Sequence, residues 1–137
     1  MKVFIVSSKH FYGEVGEIKE ALESLGHSVT LPNSYDDPST EQKSRELGPE
    51  HHRKWKAEMF RLQNSKVESN DAILVLNLKK GDVDNYIGGS VLLEMFKAWE
   101  LGKKIYLYNP IPDNMLKDEI EGLDPIIINH DLSLIKG

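Results

Sequence analysis

A single carboxylate, Glu94, stands inside an apolar helical segment just after a pair of glycines. Residues 85–108, NYIGGSVLLEMFKAWELGKKIYLY, read as a Gly-rich turn, a helix and a buried strand. Gly88 and Gly89 precede the helix, and Ser90 falls at its cap or in its first turn. Free N–H groups at such a start suit an anion, which glycines let approach closely. The competing explanation is a tight turn that needs a positive φ. Glu94 lies little more than one turn further in. A carboxylate there could attack an anomeric carbon and form a covalent glycosyl intermediate, the retaining route of glycoside chemistry. From periodicity alone, a solvated helix glutamate paired with Lys97 or Lys104 is the simpler account.

The elements that must hold Glu94 follow from spacing. Leu92, Met95, Phe96 and Trp99 recur at helical intervals and predict the buried stripe of its helix. Gly102 ends that helix, and Lys103 and Lys104 lie where the dipole favours cations. Ile105 to Tyr108 reads as the next strand. Upstream, Lys2 to Ser7 is a continuous apolar run of the kind found in a central parallel strand. Val15, Ile18, Leu22 and Leu25 mark a helix closed by Gly26, and His27 to Leu31 a second strand. Pro32 to Pro49 reads as a loop rich in turn-forming residues. A longer helix is predicted over 50–69, with Trp55, Met59 and Leu62 on one face. Asp71 to Asn77 is the third strand, a short helix is predicted near 115–121, and Pro125 to Ile128 is the fifth strand.

This alternation predicts one α/β domain over residues 1–137. We expect three layers, flavodoxin- or Rossmann-like, with a mostly parallel five-stranded sheet in the order 2-1-3-4-5. In such sheets ligands bind beyond the carboxyl ends of the strands. That gathers residues 7–12, 77–90 and 109–113 around one crevice, beside the start of the Glu94 helix. His10 and Tyr12 are candidate ligand contacts, or ordinary loop residues. His51 and His52, with Arg53, Lys54 and Lys56, lack the i, i+4 spacing of a helical metal site and read as a solvated helix start. Trp55 and Trp99 read as core or subunit contacts, and residues 109–112 (NPIP) as a lid or a stiff connector.

Composition excludes several classes. The chain has no cysteine, so a disulfide framework and a thiolate zinc site are both ruled out. With 17 basic and 22 acidic residues, its net charge of -5 has the wrong sign for a dedicated nucleic-acid binder. No apolar run approaches the roughly 20 residues of a membrane helix, and MKVFIV is too short for a signal core. A soluble, cytoplasmic protein is expected.

The segment with Gly88, Gly89, Glu94, Ala98, Gly102, Lys103 and Ile105 onward resembles the nucleoside 2-deoxyribosyltransferase superfamily, including deoxynucleoside-monophosphate N-glycosidases. The resemblance covers strand three through strand four. It places Glu94 on the family's nucleophile and implies an enzyme acting on N-glycosidic bonds of nucleosides or nucleotides. Ser7, His10, Tyr12, Asn77, Gly88, Gly89 and Ser90 would then bind substrate. The family's acid in the Gly-rich turn is absent, since the position six before Glu94 is Gly88. Its acid at the end of strand three is replaced by Asn77. Asp84, Tyr86 or a group from a neighbouring subunit is left to protonate the leaving base. The resemblance further implies no cofactor, no metal, a small-molecule partner and a homo-oligomer. Two other functions fit the same fold: a nucleotide-binding or regulatory module without turnover, and an NAD-cleaving glycohydrolase.

Overall fold

A computed structural model describes all residues 1–137. Five strands form a wholly parallel sheet in the order β2-β1-β3-β4-β5. They are β1 (Lys2–Val6), β2 (Ser28–Thr30), β3 (Ala72–Val75), β4 (Lys104–Leu107) and β5 (Ile126–Ile127). The helices are α1 (Tyr12–Ser24), α2 (Thr40–Glu46), α3 (Pro49–Glu68), α4 (Gly89–Glu100) and α5 (Lys117–Gly122). The predicted strand order is the observed one. Side chains alternate along each strand, so β1 feeds both faces. Phe4 and Val6 join Ile73, Val75, Met95 and Leu107 on one side, while Val3 and Ile5 pack with Val15, Leu22 and Leu74 on the other. The result is three layers, with α1 on one face and α3, α4 and α5 on the other.

Two expectations need correction. The stripe on α4 is turned by one residue, and its buried face is Val91, Glu94, Met95 and Ala98. Phe96 and Trp99 are half exposed, as is Leu93. The smaller Val91 and Ala98 pack in the core on the sheet's α4 face, and the bulky rings point away. Glu94 therefore sits on the core-facing side of its own helix. The second correction is α2, which lies within residues 32–49, read above as a loop. Its sequence signal was present: Ser39 and Gln42 have capping-box spacing. In the structure, though, no side-chain cap bond forms at Ser39.

The C-terminal end of α4 behaves as read. Gly102 adopts φ +68°, and the N–H groups of Gly102 and Lys103 donate to the Trp99 and Ala98 carbonyls at 3.1 and 2.8 Å. That bond pair turns the chain straight into β4. No helix of the structure is long and apolar enough to cross a membrane.

Candidate active site

A cavity of about 260 Å³ opens beyond the carboxyl end of β1, between the α1 start, α3 and the N-terminus of α4. It collects most of the residues singled out from sequence. Ser7, His10, Tyr12, Tyr86, Gly88 and Glu94 all line it, together with Gly89 and Ser90.

Glu94 is 7% exposed, and no hydrogen bond within the chain reaches its carboxylate. Burial pushes its pKa up to about 8, against the opposing pull of Lys66 and Lys56. Lys66 moves the other way: its own burial lowers its pKa despite the charges of Glu94 and Asp36. Both groups drift toward neutrality, so desolvation outweighs their mutual attraction.

The start of α4 supplies the complementary polarity. Gly88 caps it without a side-chain bond, and no acceptor in the chain takes the N–H groups of Gly89, Ser90 and Val91. All three residues line the cavity. Gly88 has φ -87°, so a positive φ is not what the glycine serves. Space is: a Cβ there would meet the Tyr86 hydroxyl at 3.0 Å. At Gly89 a Cβ would meet nothing within 4 Å, so this glycine leaves the helix start open toward the cavity.

Tyr12 donates its hydroxyl hydrogen to the backbone oxygen of Asn33. Burial first, then the charges of Glu94 and Glu41, raises its pKa to about 12, so it stays protonated. His10 is held below its ordinary value by loss of hydration and then by the charges of Lys80 and Lys9. Lys80 also lies 4.5 Å from the Tyr86 ring centroid.

Two of the predicted site residues, Asp84 and Asn77, fall outside the cavity. Asp84 is 77% exposed on its side chain and stands 4.0 Å from Lys79, with no part in the lining. Asn77 is fully buried and works as a clip between strand ends. Its Nδ2 donates to the carbonyls of Asn109 and Pro110, and its Oδ1 accepts from the Asn109 N–H at 2.9 Å. That clip fixes residues 109–110 as a connector, and nothing from 109–113 reaches the cavity.

Glu41, Gln63 and Asn33 are among the lining residues that escaped the sequence reading. Glu41 of α2 gathers Lys9, Arg45, His52 and Lys56 at 3.6, 3.4, 3.2 and 3.3 Å. Burial pushes its carboxyl up, but the His52 hydrogen bond and the charges of Lys56 and Lys9 prevail and hold it at about 2. Gln63 of α3 is buried against the cavity, and Asn33 follows β2 with its side-chain oxygen unpaired. No group of three His, Asp or Glu side chains is arranged to hold a metal ion.

Comparison with known proteins adds the fold's wider context. No protein-family model and no curated protein sequence matches the chain. Among solved structures, a 2-deoxyribosyltransferase from Bacillus psychrosaccharolyticus superposes with a TM-score of 0.61 at 19% identity, over 98% of this chain and 95% of that one. The Clostridium botulinum CMP N-glycosidase BcmB gives 0.52 at 18% identity, over 94% and 90%. The Paracoccus denitrificans flavoenzyme FerB, an NAD(P)H:(acceptor) oxidoreductase, gives 0.51 at 12%, over 99% and 79%. The chain therefore shares the fold of these solved structures, a three-layer α/β architecture. A flavoenzyme shares that architecture, so chemistry has to be argued from the cavity itself.

Proposed function

We propose that this chain transfers or cleaves N-glycosidic bonds of nucleosides or nucleotides, with Glu94 as the nucleophile. One observation carries the reading: a buried carboxylate free of hydrogen bonds lines the same cavity as the unpaired N–H groups at the start of its helix. The two solved structures of this fold that act on glycosidic bonds of nucleosides or nucleotides support it.

In this mechanism the ionised Glu94 attacks C1′ of the sugar as the C1′–N bond breaks. The bonding pair leaves with the base, which takes a proton from a nearby acid. Water or a second base then attacks C1′ and frees Glu94. Of the two groups in the chain first considered for the acid, only Tyr86 lines the cavity, so we assign it that role. Glu41, held ionised by its cations, has no proton to give at neutral pH. Gly89, Ser90 and Val91 would bind the sugar or a 5′-phosphate through their free N–H groups.

The test is release of base, by chromatography, from a panel of nucleosides, 5′-monophosphates and NAD. We expect release by the wild type and none by Glu94→Ala. Equal release by both proteins would remove Glu94 from the mechanism. Ligand-induced stabilisation without release would instead favour a binding module, a reading supported by the exposed position of Asp84. Nicotinamide release would identify an NAD-cleaving enzyme.

A homo-oligomer and a cytoplasmic setting belong to the same reading. The exposed Leu93, Phe96 and Trp99, with the last two rings 5.6 Å apart, form an apolar strip on α4 suited to a second copy. Phe96→Glu should convert an oligomer to monomer in light scattering while leaving the thermal transition in place. A wild type that is already monomeric at working concentration would count against a shared interface.

A further inference from the structure

The loop that carries Tyr86 is built around that residue's hydroxyl group. Residues 78–86 fold back on themselves. Lys80 and Val83 exchange both backbone bonds, N–H to carbonyl, at 2.9 and 3.0 Å, and the Tyr86 N–H donates to the Leu78 carbonyl at 2.8 Å. Gly81, at φ +58°, supplies the left-handed residue that so tight a reversal needs. Phe11 packs edge-on against the Tyr86 ring, with centroids 6.3 Å apart. The Tyr86 hydroxyl lies against Gly88, where a Cβ would crowd it at 3.0 Å. Lys80 completes the setting, its Nζ 3.5 Å from Tyr86 Oη and 4.5 Å from the ring centroid.

Lys80 is half-buried and its ammonium bonds to no other group of the chain. Its neighbour Lys79 reaches Asp84 at 4.0 Å, whereas no carboxylate stands that close to Lys80. An ammonium only donates, so this contact leaves the phenolic hydrogen uncommitted. No acceptor in the chain takes that hydrogen. Tyr86 and Gly88 both line the cavity, so the hydroxyl lying against Gly88 stands at its wall. Resting on the N-glycoside reading above, with Tyr86 as its acid, we propose that Lys80 is the positioning residue for proton delivery to the departing base. It holds the Tyr86 hydroxyl with its hydrogen free, and it stabilises the phenolate that forms when the proton leaves.

Charge balance explains why a cation belongs there. As the C1′–N bond breaks, its electron pair goes to the base, and a ring nitrogen of the base takes the Tyr86 proton. The phenolic O–H bond breaks and its electrons stay on Oη, beside the Lys80 ammonium. An ion pair then replaces a bond to a neutral oxygen, so Lys80 stabilises the transition state more than the resting enzyme. A phenol ordinarily gives up its proton only near pH ~10, so without the cation it would be a poor donor. In the second step water adds to C1′ and passes its proton to the phenolate, while Glu94 departs as the carboxylate. A second base carrying an N–H restores the Tyr86 proton in the same way.

Rates of base release by the full-length protein test this. The probes are the cytosine, uracil, adenine and guanine nucleosides and 5′-monophosphates, in ribo and 2′-deoxyribo forms, and nicotinamide riboside with its 5′-monophosphate. The four neutral bases need a proton to leave, whereas nicotinamide is cationic in its substrate and leaves neutral without one. Lys80→Met should lower kcat for the best-released neutral base about tenfold or more, with KM little changed. Nicotinamide release should change by less than about twofold. Lys80→Arg, which keeps the cation, should restore most of the loss, and Lys79→Met should cause none. In a Tyr86→Phe background Lys80→Met should have no further effect, because its partner is already gone. Lys80→Gln replaces the methionine variant should that protein not fold, and the Tyr86→Phe cycle alone decides should nicotinamide not be released. Equal losses for both kinds of base, effects of the two substitutions that multiply, or release of nicotinamide alone would overturn this inference and leave Glu94 in place. Release of no base by the wild type would overturn it together with the N-glycoside reading.

Discussion

At low substrate concentration the rate of base release should climb about tenfold per pH unit on the acid side and level off near pH 8. The reason lies in the wall around Glu94. Only the ionised carboxylate is a nucleophile, and burial holds the carboxyl at about 8, so at neutral pH only about a tenth of the free protein is ready to react. Lys66 and Lys56 oppose that burial, and each stabilises the charged form. Lys66→Met should therefore move the rising limb further to the alkaline side and lower the rate at neutral pH. Lys97→Met, on the same helix but paired with Glu100 at 3.0 Å on the surface, should leave the limb where it is. A profile of kcat/KM against pH for the three proteins checks this. A limb near the ordinary carboxylate value would mean that the reacting group is solvated, and Glu94 as placed here could not be it. Glu94→Ala should reduce the rate by about a thousandfold or more, flattening the rising limb along with it.

Much of this site is local in sequence, which is why it was legible. Gly88, Gly89, Ser90 and Glu94 lie within seven consecutive residues, and the paired glycines before them and Gly102 after them marked the two ends of their helix. The central strands β1, β3 and β4 were equally readable, because buried parallel strands are near-continuous apolar runs. The face of α4 was not. Hydrophobicity favours Phe96 and Trp99 as inward residues, yet closeness of helix to sheet selected Val91 and Ala98, and Glu94 came inward with them. Asn33, Glu41 and Gln63 were missed for a different reason. They come from residues 32–63, far from Glu94 in sequence, and meet it only because β2 is the sheet edge and α3 crosses back beside α4. No spacing rule within that segment marks an asparagine whose amide will be pinned by the Met59 carbonyl. Asn77 shows the opposite limit. A polar residue at the end of a central strand has the same sequence signature whether it holds a ligand or, as here, ties two strand ends together.

Stability should fall as pH rises from 4.5 to about 8, and Glu94→Gln should abolish most of that fall. The sign follows from proton binding. Between these values the folded protein keeps the Glu94 proton while the unfolded chain has lost it, so raising the pH favours unfolding. The contribution is fully present below 4.5 and lost once the folded carboxyl ionises near 8. Its size is on the order of 4 to 5 kcal/mol, a large part of the stability of a domain this long. Glu41 acts in a separate window with the opposite sign. Its carboxyl is held at about 2, so the stability it contributes is present above the ordinary carboxylate value and lost as pH falls toward 2. His10, with its pKa lowered, opposes the trend near neutrality, but it titrates identically in both proteins and cancels from their difference. Urea midpoints for wild type and Glu94→Gln at about pH 5, 7 and 9 separate these terms. The two curves should lie close together at acid pH and diverge as pH rises, with the glutamine protein the more stable in alkali. Parallel curves would show that Glu94 is hydrated in the folded state, and would remove the physical basis for a raised pKa in the cavity. A divergence would mean that the fold gives up stability at working pH to keep an unpaired carboxylate inside. No packing requirement of α4 explains that arrangement, whereas a reaction at an anomeric carbon does.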